Sequence, residues 1–284
     1  MNANHATSIG YALCSTLVLA VSGASAQIDE TLQPAPEARE VPVQVEEFLL
    51  QLPVQPGVDA EIARFQDGRL PPSYRAEFAR AARRRLGTEV RDLLAQMVQD
   101  GCTPGVSVEF PGQEFSGIQD LTSLEKDFED SVVLTRSSSC HRTDLPPEEL
   151  LGIYSSRDLR MAAQSRMEDV YEEDGLTCYA VGGVPILLAP TRSCNDVTQA
   201  TWPGAAAEHS QSVRSEAEGH QPVYFKESLK AALELQDGVV GLVHVTVTRS
   251  TGLGGLEKRL GRGKIEESVR RQAEVLAERL RSGG

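Results

Sequence analysis

The sequence predicts an α+β protein: an antiparallel sheet packed on a long C-terminal helix and preceded by a helical N-terminal region. Three stretches carry this. Residues 229–249, LKAALELQDGVVGLVHVTVTR, hold two alternating apolar runs joined by Asp237-Gly238, a pair suited to a tight hairpin turn. Residues 260–280, LGRGKIEESVRRQAEVLAERL, place Ile265, Val269, Ala273, Leu276 and Leu280 along one helical stripe. Between about 44 and 100 the apolar residues recur at helical spacing.

The N-terminus reads as an export signal. Residues 13–21, LCSTLVLAV, form a short apolar core, and Ala24-Ser25-Ala26 supplies the small residues a signal peptidase accepts. Cleavage is expected after Ala26, which makes the protein periplasmic or secreted. Cys14 opens the apolar run behind Leu13, the wrong place for a lipidated cysteine. Residues 27–43 are proline-bearing and without period, and read as a flexible linker.

Residues 44–130 form the expected helical N-terminal region. Phe48, Leu49 and Leu52 group on one side of a short segment. Ser73 is placed to cap a helix carrying Tyr74, Phe78, Ala81, Ala82 and Leu86. Thr88 restarts a helix after Gly87, with Val90, Leu93, Leu94, Met97 and Val98 on it and Gly101 as its stop. Residues 106–110, VSVEF, alternate as a strand does. Strand-like character resumes at 131–140, and LPPEELLGIYSS at 145–156 reads as a short helix with proline in its first turn. Asp174-Gly175 marks a hairpin turn, and LTCYAVGGV and PILLAP read as strands. Residues 195–222 are polar and read as a long loop. In the ribbon that follows, Phe225, Leu229, Ala231, Leu233 and Leu235 share one face of the first strand, and Val239, Val243, Val245 and Val247 one face of the second. An isolated hairpin is only marginally stable in water, so its apolar face needs a cover, and the C-terminal stripe is the expected one.

Composition bounds the function. The formal net charge is −13, from 41 acidic and 28 basic residues. That balance repels phosphate backbones and argues against nucleic acid as partner. Beyond the signal, Cys102, Cys140, Cys178 and Cys194 remain. An even number in an exported chain suggests two disulfides, with three pairings open. Zinc is disfavoured because no C-x₂-C pair occurs. His209 and His220 flank an acidic stretch without a metal-ligand motif, so no metal and no cofactor are assigned. No G-x-S-x-G elbow accompanies the serines at 137–139, and no acid–base pair stands out, so no catalytic residue is assigned. His244 falls on the opposite face of the ribbon, between Leu242 and Thr246. Arg80, Arg83 and Arg84 make a basic patch on one side of the helix, suited to an anionic surface or an acidic partner.

From residue 131 onward the order of elements resembles the START-type helix-grip superfamily, also called the polyketide cyclase/lipid transport superfamily. The resemblance rests on Pro146-Pro147-Glu148-Glu149-Leu150 after a strand, the Asp237-Gly238 hairpin, and the helix from Leu253 to Leu280. It covers residues 131–284, roughly half the chain. The paired cysteines, the polar insertion at 195–222 and the helical region before 131 depart from it. The resemblance implies a curved sheet gripping the last helix around a hydrophobic pocket. The pocket walls would be Phe225, Leu229, Leu233, Val243 and Val245 on the sheet, with Ile265, Val269 and Leu276 opposite. The function expected is non-catalytic binding of a lipid or apolar small molecule. The alternative is a structural or interaction protein with a filled core that meets partners through the arginine helix.

Overall fold

A computed structural model describes residues 39–54, 74–111, 132–164, 166–182, 191–217, 224–236, 238–250 and 255–282. Two helices come first, α1 (Val41–Gln51) and α2 (Tyr74–Asp100), then strands β1 (Gly105–Glu109) and β2 (Val132–Arg142). Helices α3 (Pro147–Ser155) and α4 (Arg157–Ala163) follow. Six strands run next: β3 (Met167–Glu173), β4 (Leu176–Val181), β5 (Thr191–Trp202), β6 (Ala205–Ala217), β7 (Tyr224–Gln236) and β8 (Val239–Ser250). Helix α5 (Gly255–Arg281) closes the order. The strands form one antiparallel sheet in the order β1-β2-β8-β7-β6-β5-β4-β3. The ribbon β7–β8 is therefore central. Register shifts at Met167/Asp169, Cys194/Asn195 and Glu234/Gln236 bend and curve the sheet. All described residues belong to one compact unit, Pro34–Gly284.

Turn chemistry follows the sequence. Asp174 and Gly175 take φ of 52° and 76°, Gly204 69° and Gly238 73°, the left-handed conformations that tight hairpins need. Pro147 opens α3 where its missing N–H costs nothing, and Ser156 caps α4 by accepting from the Leu159 N–H.

The ribbon's apolar face is buried, and its cover is not the C-terminal helix. Leu229, Ala231, Leu233, Val243, Val245 and Val247 pack with Val41, Val45 and Leu49 of α1 and with Phe78, Ala82, Leu86, Val90, Leu94 and Met97 of α2. Helix α5 lies on the opposite face. There Leu276 joins Leu150, Leu151, Tyr154, Leu159, Ala206, Ala232, Val240 and Leu242. The reason is stripe width. The α1–α2 pair presents nine buried apolar side chains, each contributing ~1.5–3 kcal/mol when fully buried. In α5, Leu276 is the one fully buried apolar side chain among the described residues.

Other expectations change for equally local reasons. The stretch 195–222 is not a loop where it is described: most of it forms β5 and β6, turned at Gly204. Its polar side chains mislead because those of Asn195 and of Glu208, His209, Ser210, Gln211 and Ser212 are buried inside the protein. Helix α2 runs unbroken through Gly87, which sits against α1; a Cβ there would meet Glu46 Cγ at 3.1 Å. The Thr88 hydroxyl donates back to the Arg84 carbonyl at 3.2 Å and starts no new helix. Arg83 is no part of a surface patch. It is 4% exposed, its Nε lies 3.3 Å from Glu227 Oε2, and its other nitrogens donate to Leu52 O and Gln211 Oε1. Arg80 and Arg84 are exposed. Residues 1–38, Ser73, the 185–190 strand, Asp237 and His220 lie outside the described residues.

Two disulfides select one of the three pairings: Cys102–Cys140 ties the end of α2 to β2, and Cys178–Cys194 joins β4 to β5. Gly241 on β8 marks the tightest approach of α2, since a Cβ there would lie 2.8 Å from Met97 Sδ and 3.2 Å from Leu235 Cδ1. Gly241→Ala is expected to lower unfolding stability by about 1–3 kcal/mol through overpacking. Denaturant unfolding of the two proteins checks this, and an unchanged midpoint would contradict the close approach.

Candidate functional site

The site lies on the sheet face turned away from α1 and α2. Strand alternation places Lys226, Ser228, Lys230 and Ala232 of β7 there, with Glu208, Ser210 and Ser212 of β6 and His244 and Thr246 of β8. Helices α3 and α4 bring Tyr154, Ser155 and Arg160 against them. Every one of these side chains is buried or half-buried. The face is polar and enclosed, which strand periodicity alone reads as solvent-facing.

Glu208 is the hub. It is 2% exposed. Its Oε1 accepts from the Ser155 hydroxyl at 2.8 Å and pairs with the Lys230 ammonium, and its Oε2 accepts from Gln199 Nε2 at 3.0 Å. Lys230 also donates to Ser155 Oγ at 2.7 Å. Arg160 reaches Glu208 Oε1 at 3.8 Å and lies 4.6 Å over the Tyr179 ring, a favourable cation–π placement. Arg160 Nε and Asn195 Oδ1 are buried without a hydrogen-bond partner. Beside them, His244 is held through both ring nitrogens: Tyr154 Oη is 3.1 Å from Nδ1, and Ser228 Oγ and Thr246 Oγ1 are 2.9 and 3.0 Å from Nε2.

Among the described residues, three cations, Lys226, Lys230 and Arg160, thus share the space with one carboxylate whose charge reaches both lysines. Burial pushes the Lys230 ammonium down to about 7, and the Arg160 and Lys226 charges push the same way, against the pull of Glu208. Burial and Arg160 bring Lys226 down to about 8. For Glu208, burial works to raise the carboxyl, but Lys230 and the hydrogen bonds from Gln199 and Ser155 hold it below the usual range. Burial, then Lys230, Lys226 and Arg160, hold His244 far below its ordinary value, so it is neutral. Burial raises the Tyr154 phenol, which stays protonated.

The sequence-expected lining divides between the two faces. Leu229, Leu233, Val243 and Val245 are in the filled core under α1 and α2. Phe225 lies on β7, with its side chain outside the described residues. Leu276 is packed into the second apolar cluster. Ile265 and Val269 are half-buried, on the same stripe of α5 as Gln272, which donates to Tyr154 O at 3.4 Å. The expected meeting of Leu229, Leu233, Val243 and Val245 with the α5 stripe does not occur, because the two sets face opposite sides of the sheet. Sequence reading missed Lys226, Lys230, Glu208 and Arg160. One signal was available: Lys226, Ser228 and Lys230 alternate with the apolar set and so share one face of β7.

Among the described residues, Glu173, Cys178 and Cys194 place ligand atoms within 4.8 Å of one another, but the two cysteines are disulfide-bonded. No helix of the described residues is long and apolar enough to cross a membrane.

This architecture is of the helix-grip class: a curved antiparallel sheet, a short helix pair after its second strand, and a long C-terminal helix. No family model matches the sequence, and no curated protein matches it. Solved structures of START type are similar to it over about half the chain or more. Human StAR-related lipid transfer protein 5 shares 14% identity at a TM-score of 0.41, covering 70% of this chain and 97% of that one. Human STARD10 shares 8% at 0.42, covering 51% and 62%. A START superfamily protein of Mycobacterium smegmatis shares 10% at 0.38, covering 52% and 97%.

Lys226 carries a signed pH signature. In the folded protein its pKa of about 8 lies below the ordinary lysine value of 10.5. Between these values the unfolded chain binds the extra proton, so the folded protein gains stability as pH rises through that window. Wild type is expected to gain about 2 kcal/mol over Lys226→Met between pH 8 and 10 in urea unfolding. Parallel pH profiles would contradict the half-buried placement of Lys226.

Proposed function

We propose that the protein is a binding protein for an acid-bearing amphiphile, held between the polar face of the sheet and helices α3 to α5. The observation that carries this is the gathering, among the described residues, of three positive side chains, Arg160, Lys226 and Lys230, around the one carboxylate of Glu208. Burying unpaired charge is costly, and an entering carboxylate or phosphate offsets it. The buried Arg160 Nε, without an acceptor, is the natural donor to such a group. The half-buried Ile265 and Val269 on the sheet-facing stripe of α5 suit the aliphatic part of the ligand. The interior is thus less greasy than the ribbon suggests, and the ligand needs a polar end. The protein works in an oxidising compartment outside the cytoplasm; the two disulfides and the apolar run before Ala26 support export.

Calorimetric titration with dodecanoate and with dodecanol tests the reading. Dodecanoate is expected to bind at least about tenfold more tightly, the worth of one charge-assisted hydrogen bond. Arg160→Met is expected to remove that preference. Equal affinity for acid and alcohol, or no binding of the acid, would overturn the reading.

A further inference from the structure

The polar face extends past Glu208 toward β4 and β5. Tyr179 of β4 stands opposite Ser193 of β5. Asn195, two residues beyond Ser193 and so on the same face of β5, stands opposite Ser212 of β6. The Ser193 and Ser212 hydroxyls are 3.5 Å apart, which ties the two positions together. Arg160 of α4 covers this corner, its Cζ 4.6 Å from the centre of the Tyr179 ring.

Three polar atoms here are left over. Arg160 Nε, Tyr179 Oη and Asn195 Oδ1 are each buried without a hydrogen-bond partner. Tyr179 is 7% exposed and Asn195 1%, so bulk water does not serve them, and buried polar groups are nearly always paired. Glu208 does not serve Arg160 Nε. Its Oε1 lies 3.8 Å from Arg160 Nη2, beyond hydrogen-bond length, and the carboxylate already takes Lys230, Ser155 and Gln199. Burial raises the Tyr179 phenol, with Arg160 pulling the other way, so the phenol stays protonated and can donate.

The corner therefore offers two donors and one acceptor. A plain carboxylate accepts from the donors and has nothing to give Asn195. An ammonium could give Asn195 a proton to share, but it would face the charge of Arg160. A neutral hydroxyl beside the acid answers all three atoms.

We propose that Arg160, Tyr179 and Asn195 form a head-group subsite for a hydroxy acid: Arg160 Nε and Tyr179 Oη donate to the acid, and Asn195 Oδ1 accepts from a hydroxyl on the neighbouring carbon. The inference rests on the binding reading and names the polar end of its ligand. A site built to hydrogen-bond a hydroxyl discriminates against the analogue that lacks it, because its own polar group is then left unpaired. Three fixed contacts around one carbon also make the subsite handed, since the mirror-image hydroxyl points away from Asn195.

Calorimetric titration of the full chain with dodecanoate and with each enantiomer of 2-hydroxydodecanoate tests this. One enantiomer is expected to bind at least about tenfold more tightly than dodecanoate, and more tightly than its mirror image. Asn195→Leu is expected to bring the ratio of hydroxy-acid to plain-acid affinity down to about one. Arg84→Gln, at an exposed position of α2 on the far side of the sheet, should keep the wild-type ratio. The ratio compares ligands on one protein, so a general loss of stability does not mimic the effect. Equal affinity for dodecanoate and both enantiomers, with dodecanoate still preferred to dodecanol, would overturn this inference and leave the binding reading intact. Loss of the preference for acid over alcohol would overturn both. A hydroxy-acid preference that survives Asn195→Leu would overturn the assignment to Asn195.

Discussion

The structure depends on one constraint: helices pack on both sides of the central ribbon β7–β8, so both its faces are covered. A two-stranded ribbon at a sheet edge can leave its polar face in water. This one cannot. Its apolar face is closed by α1 and α2 through a continuous aliphatic core. Its polar face is closed by α3, α4 and α5, and every charged group there has to be paired, neutralised or offered to a ligand. The site exists because the second face was filled with lysines, serines and a glutamate rather than valines.

The two layers are fixed differently. On the α1–α2 side, dispersion and burial dominate, and a small polar clamp sets the register. Arg83, Glu227, Gln211 and His209 form it, with His209 Nε2 2.6 Å from Glu227 Oε2. Arg136 adds a second tie, donating to Glu89 of α2 at 2.7 Å. Phe48 of α1 meets Trp202 of β5 edge to face, ring centroids 5.9 Å apart. On the other side, apolar packing holds only the end of the sheet near Leu242 and Leu276. The remainder is polar. That asymmetry separates an apolar supporting face from a polar, charge-bearing one.

Much of the architecture was legible in the sequence because alternation and helical period report directly on backbone geometry. The Asp174-Gly175 and Asp237-Gly238 turns, the proline-led α3, the long α5 and the even cysteine count all announce themselves. Three things were not legible, each for a physical reason. Periodicity says that a face is apolar, not which helix covers it, so α5 was paired with Leu229 and Val245 when α2 is their cover. Buried polar strands look like loops, which hid β5 and β6. A lysine in a sequence reads as solvated, and only the packing of α3 and α4 over β7 shows that Lys226 and Lys230 are not. On the other face, the packing of α2 against Glu227 and Gln211 turned Arg83 from a surface charge into an interior one.

The central claim is that α2, not α5, lies on the apolar face of the ribbon. A double-mutant cycle between Arg83 on α2 and Glu227 on β7 tests it most directly, using Arg83→Met, Glu227→Gln and the pair in urea unfolding. Partners in a buried ion pair are expected to be coupled by about 2 kcal/mol or more, with the double variant recovering much of what each single one loses. Losses that add to within about 0.5 kcal/mol would mean the two residues do not meet, and the assignment of the two faces would fall with them.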